Sequence, residues 1–96
     1  MSDTTASENT ASTINNVTMY GADWCGDCRR AKAALDRFGV GYDWHDVDHE
    51  DGAADKAMAI SGQKHIPVVQ FSDGSFQVEP SSNDLKTKLQ ELGQLE

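Results

Sequence analysis

The sequence is poor in the features that mark secreted, membrane-spanning or nucleic-acid-binding chains. It has two cysteines and two prolines in 96 residues. A chain of this length can bury a core without covalent staples, and a disulfide between residues three apart closes too short a loop to constrain the unfolded state much. No apolar run approaches the roughly 20 residues that a membrane-spanning helix requires. Met1 to Asn16 are rich in Ser, Thr, Asn and Ala, with no basic stretch and no apolar segment. They do not read as a secretory signal, so the expected location is the cytoplasm, where thiols are kept reduced. Basic residues are scarce: eight Lys and Arg against sixteen Asp and Glu give a net charge of −8. Such a surface has no basic stripe to release counterions from phosphates, which argues against nucleic acid. It leaves solubility, or a basic protein partner, as the meaning of the charge.

Residues 1–16 hold almost nothing that could offset the entropy of ordering them and are expected to form a disordered tail. The fold is expected in residues 17–96, where strand-like and helix-like patterns alternate. Val17 to Tyr20 is a short β-prone run before Gly21. From about Cys25 to Phe38 the spacing is helical, with Ala31, Ala34, Leu35 and Phe38 on one stripe and Gly39 as a stop. Gly41 to Val47 reads as a second strand, and an acidic turn from Asp46 to Asp51 follows. That turn lacks the twelve-residue ligand pattern of a calcium loop and reads as solvated. Ala53 to Ile60 predicts a second helix that packs through Ala54, Ala57, Met58 and Ile60. Ile66 to Phe71 and Phe76 to Glu79 flank an Asp-Gly turn and predict a hairpin. Pro80 closes it, Ser81 or Ser82 can cap, and Leu85, Leu89 and Leu92 mark a last helix before Gly93. The order β-α-β-α-β-β-α implies an α/β fold: a four-stranded mixed sheet with helices on both faces.

The chemical signal is Trp24-Cys25-Gly26-Asp27-Cys28, placed where a strand ends and a helix begins. Both the helix dipole and the unpaired N–H groups of a first turn favour a thiolate there. Cys25 is therefore the expected nucleophile, with Cys28 shielded nearly one turn on and close enough to attack a mixed disulfide. Charged neighbours tune the sulfur: Arg29 and Arg30 favour negative charge on it, whereas Asp23 and Asp27 oppose it. A zinc site would want two more ligands at matching spacing, and only His45, His49 and His65 are available, singly. No metal is expected. Trp24 either shelters the nucleophile, offers a flat face to substrate or packs on the core; Trp44 reads as filler on a strand face and His65 as a solvated loop residue. Pro67, at a strand start downstream of the Cys-x-x-Cys pair, is expected to follow a cis bond.

Taken together, Val17-Thr18-Met19-Tyr20, Trp24-Cys25-Gly26-Asp27-Cys28, Ile66-Pro67-Val68-Val69 and Phe71-Ser72-Asp73-Gly74-Ser75 resemble a glutaredoxin, and more closely the mycoredoxin branch of mycothiol-using bacteria. The resemblance implies a thioredoxin fold of glutaredoxin type and reduction of mixed disulfides between proteins and a low-molecular-weight thiol. Carried over by position, Cys25 attacks, Cys28 resolves or stands by, and Trp24, Ile66 and Pro67 bind the thiol, Ile66 through its backbone. It implies no bound cofactor, with mycothiol as co-substrate, and partners comprising the mixed-disulfide proteins, the small thiol and a reductase, with the chain acting as a monomer. Three departures from the family pattern turn the expectation away from glutathione: Asp27 replaces a common tyrosine, Asp23 stands where a basic residue meets the glutathione carboxylate, and Glu79-Pro80-Ser81-Ser82 replaces paired glycines. Two alternatives fit the same residues. One is a dithiol electron donor to ribonucleotide reductase, itself reduced by thioredoxin reductase. The other is a protein that binds an iron–sulfur cluster between two subunits through Cys25.

Overall fold

The computed structural model describes residues 17–95, and the expectation for the first sixteen residues lies outside that range. Strand β1 (Val17–Gly21) leads into helix α1 (Gly26–Phe38), strand β2 (Asp43–Asp46), helix α2 (Ala53–Ser61), strands β3 (Val68–Phe71) and β4 (Phe76–Val78), and helix α3 (Ser82–Glu91). The sheet order is β2-β1-β3-β4. β1 and β2 run parallel, Met19 opposite Trp44, while β1 pairs antiparallel with β3, Met19 opposite Val69. The mixed four-stranded sheet and its three helices are those the sequence pattern predicts.

Side chains alternate across a strand, and this sorts the core into two layers. Val17, Met19, Val69 and Phe71 face α1 and α3, where they pack with Ala31, Leu35, Leu85 and Leu89. Tyr20 and Val68 point the other way, against Ala53 and Ala57 of α2. The helix α2 differs from expectation. Ala53 and Ala57 are buried, whereas Ala54 and Met58 are exposed. A short segment with alanine at four of its nine positions carries too little contrast to fix which face turns inward. The second strand is also shorter than its apolar pattern, Asp43–Asp46 in place of Gly41 to Val47, although the Val47 N–H still donates to the Gly21 carbonyl at 2.9 Å beyond its last residue.

The ends of the elements are set by local chemistry. Gly39, with φ of 71°, closes α1 in the left-handed region that glycine enters freely. Ser81 caps α3 in a reciprocal box: its hydroxyl accepts from the Asp84 N–H, and the Asp84 carboxylate accepts from the Ser81 N–H, both at 3.0 Å. The hairpin turn is tied to the same helix. Asp73 accepts from the Ser75 N–H and hydroxyl and from the Lys88 ammonium at 2.9 Å. The Ser75 hydrogen bonds, then Lys88, hold its carboxyl well below the usual carboxylate range. Among the described residues no helix is long and apolar enough to cross a membrane.

Leu35 is fully buried where α1 meets the sheet and α3. Leu35→Ala is expected to lower unfolding free energy by about 2–5 kcal/mol, measured by chemical denaturation with an unchanged slope; a loss under 1 kcal/mol would contradict this packing.

Candidate active site

Helix α1 begins with a sulfur where proteins usually place an oxygen. Cys25 is its N-cap residue, in extended conformation, and its Sγ accepts a hydrogen bond from the Cys28 N–H at 3.3 Å. That N–H is one of the donors a helix start leaves without an intrahelical partner. The first-turn amide and the dipole behind it are therefore both directed at the Cys25 sulfur. Cys25 retains 9% of its surface in solvent and Cys28 none, and both are free thiols.

Burial separates the two thiols chemically. Loss of solvation, then the hydrogen bond with Cys25, pushes the Cys28 thiol up to about 12. At neutral pH it is a protonated, buried group. What permits that burial is Gly21, the last residue of β1. A Cβ there would stand 2.5 Å from Cys28 Sγ and 2.9 Å from the Trp44 ring, both inside contact distance. Trp44 itself lies half-buried against the cysteine pair, with the Lys32 ammonium 3.5 Å from its ring centroid. It thus serves as more than strand-face filler: it forms one wall of the Cys28 enclosure.

The loop before β3 completes the site. The Ile66-Pro67 bond is cis, as expected; Pro67 is buried, and the Ile66 carbonyl lies 4.0 Å from Cys25 Sγ. A cavity of about 420 Å³ opens beside Cys25, lined by Trp24, Asp27, Arg30, Ile66 and Glu79 among others. His65 is exposed on its rim. Trp24 does not pack on the core. It is 69% exposed, and its indole N–H donates to Asp48 at 2.5 Å. The acidic turn therefore has a task beyond solvation. Asp46 accepts from the N–H groups of Asp48 and His49, which sets the turn and presents Asp48 to the indole.

The charged neighbours are arranged differently from the expectation. Arg30 pairs with Asp27, so the two charges largely cancel beside Cys25. Asp27 also contributes to raising the Cys28 thiol. Arg29 is exposed and is not among the residues lining the cavity at Cys25. Sequence reasoning missed Gly21 and Asp48. A glycine ending a strand gives no sign of what it faces, and Asp48 is one of several acids in its turn.

Comparison with known proteins places this geometry. The glutaredoxin family model matches residues 17–76. The chain belongs to the glutaredoxin family. This glutaredoxin is 38% identical over 74 residues to a Mycobacterium tuberculosis protein assigned to the glutaredoxins, spanning 76% of this chain and 88% of that one. It is 34% identical over 80 residues to mycoredoxin 1 of Corynebacterium glutamicum, spanning 82% and 99%. Its fold resembles the glutaredoxin of Archaeoglobus fulgidus, with a TM-score of 0.69 at 28% identity over 79% of this chain and 87% of that one. Oxidised glutaredoxin 2 of Chlamydomonas reinhardtii gives 0.66 at 27% identity over 84% and 85%. The glutaredoxin is accordingly a thiol–disulfide oxidoreductase.

Gly21→Ala is expected to cost about 1–3 kcal/mol of stability, as overpacking does, and to make Cys28 reactive toward a thiol reagent in the native state. Unchanged stability together with an unreactive Cys28 would contradict the enclosure described here.

Proposed function

We propose that this glutaredoxin reduces mixed disulfides between proteins and a low-molecular-weight thiol, with mycothiol as the natural co-substrate in preference to glutathione. Cys25 is the nucleophile. The observation that carries the reading is the capped Cys25 sulfur, on a residue that lines a cavity and keeps 9% of its surface, with a protonated and fully buried Cys28 behind it. The likeness to a mycoredoxin supports mycothiol. So does Glu79, which lines the cavity without an ion pair among the described residues and suits an uncharged sugar conjugate better than a dicarboxylate.

The exchange proceeds in two steps. The Cys25 thiolate attacks the small-thiol sulfur of the mixed disulfide; the new S–S bond to Cys25 forms as the S–S bond to the target protein's sulfur breaks, and the target protein leaves as a thiolate. A second molecule of the small thiol then attacks the sulfur on Cys25 and carries the pair away as a symmetrical disulfide, which a reductase recycles. Exchange of this kind follows thiolate fraction and access. Cys28 meets neither condition. Forming the Cys25 disulfide relieves the part of its shift that comes from Cys25, while burial, the largest cause, remains. The small thiol from solution is thus the faster resolving group, and the chain works as a one-cysteine catalyst in the monomer. A cytoplasmic setting, where small thiols are kept reduced, fits this cycle.

The test is turnover of a mycothiol mixed disulfide coupled to mycothiol reductase, with Cys25→Ser as the blank. Cys28→Ser is expected to retain activity within about threefold, since Cys28 is slow to ionise. Activity lost in Cys28→Ser but present in the wild type would require the internal disulfide. An inert wild type that thioredoxin reductase nevertheless reduces would replace this reading with that of a dithiol electron donor.

A further inference from the structure

Two cavities of about 420 Å³ each share Asp27, Arg30 and Glu79 in their linings. The nearer one holds Cys25; the farther one continues along Pro80, Ser82 and Asp84 at the start of α3. The charges of this shared cleft differ in how far they are committed. Asp27 and Arg30 answer each other in an ion pair. Asp84 accepts from the Ser81 N–H in the capping box, and its charge offsets the dipole of α3. The start of α3, which would otherwise attract a carboxylate, therefore already has its counter-charge. Glu79 has no such commitment. Its exposed carboxylate makes no hydrogen bond or ion pair among the described residues. Its φ of 53° makes it the one described non-glycine residue in the left-handed region, while its backbone N–H is anchored to the Pro67 carbonyl at 2.9 Å. Glu79 is thereby fixed to the same loop that carries Ile66 and Pro67, between the nucleophile and the farther cavity. Lys64, the cation of the cleft without an ion pair among the described residues, lines only the nearer of these two cavities.

We propose that Glu79 sets the charge selectivity of the cleft: thiols bearing a cationic or hydroxyl group beyond the reacting sulfur are accepted, and those bearing a carboxylate there are turned away. This deepens the reading of Cys25 as nucleophile and rests on it. An ammonium group or a sugar hydroxyl donates to the free carboxylate, whereas a carboxylate reaching toward the farther cavity, beyond Lys64, meets Glu79 with a paired Arg30 and a capped helix. Glu79 acts on the group attached to sulfur; the exchange itself is unchanged. The Cys25–S bond forms as the disulfide S–S bond breaks, and the departing thiolate takes a proton from water.

The experiment uses the reduced full chain and three symmetrical disulfides: cystamine, hydroxyethyl disulfide and dithiodipropionate, which are cationic, neutral and anionic. Second-order rates of Cys25 modification are read by acid quench and mass spectrometry, after correction for the intrinsic reactivity of each disulfide with a small reference thiol. Each corrected rate is divided by that of the neutral disulfide. At low salt the cationic compound is expected to exceed the neutral one by about fivefold and the anionic one to fall below it by about the same factor, as a unit charge at close range in water confers. Both factors should shrink toward one in Glu79→Gln, reverse in Glu79→Lys, and diminish at 0.5 M salt on the Debye scale of roughly 4 Å. Ratios near one in the wild type, or ratios that persist in Glu79→Gln, overturn the assignment of Glu79 while the neutral disulfide still reacts at Cys25. Failure of all three disulfides to react at Cys25 overturns the oxidoreductase reading itself, and this proposal with it.

Discussion

The hydrogen bond from the Cys28 N–H to the Cys25 sulfur is the contact on which the site depends. It makes one thiol a helix cap and, by the same turn of helix, drives the other into the protein. A cap must lie outside the helical stretch, so Cys25 keeps an edge in solvent. A residue three positions on lies over the same face and points at the sheet. Two chemically identical side chains thus acquire different environments from their place at one helix start, and the difference in reactivity follows from those environments.

The rest of the fold holds that start in place. Gly21 lets α1 approach β1 closely enough for Cys28 to be enclosed. β2, paired in parallel with β1, brings Trp44 across as a wall, and β3 brings Ile66 and Pro67 to the open side of Cys25. The parallel β1-α1-β2 unit and the antiparallel β3-β4 hairpin therefore contribute opposite halves of one site. The two apolar layers sit away from it, so the core can be satisfied while the cleft stays polar and open. Its charges are mostly spent on one another, which makes the unspent carboxylate of Glu79 a feature of the surface that substrate meets.

Most of the fold was legible because its signals are local. The β-prone run Val17 to Tyr20, the 3.6-residue stripe through Ala31, Leu35 and Phe38, and Gly39 behind it each specify an element without reference to the others. The cap at Ser81 and the Asp-Gly turn were legible for the same reason. Cys25 and Cys28 could be found because their spacing at a helix start is itself the signal. What could not be read depends on three-dimensional meeting. That Gly21 faces Cys28, that Trp44 closes over it and that Asp48 reaches the Trp24 indole are consequences of three or more elements converging. The phase of α2 was lost to its alanines, and the pairing of Arg30 with Asp27 rather than with the sulfur is a competition between near neighbours that spacing alone does not rank.

The central claim is that one helix start divides the two cysteines into an available nucleophile and a protonated, enclosed partner. The most direct measurement is residue-resolved alkylation of the reduced full chain with iodoacetamide at pH 7, followed by peptide mass spectrometry with and without denaturant. The account predicts label at Cys25 in the native protein and label at Cys28 only once the chain is unfolded. Native labelling of Cys28 at a rate comparable with Cys25 would contradict it.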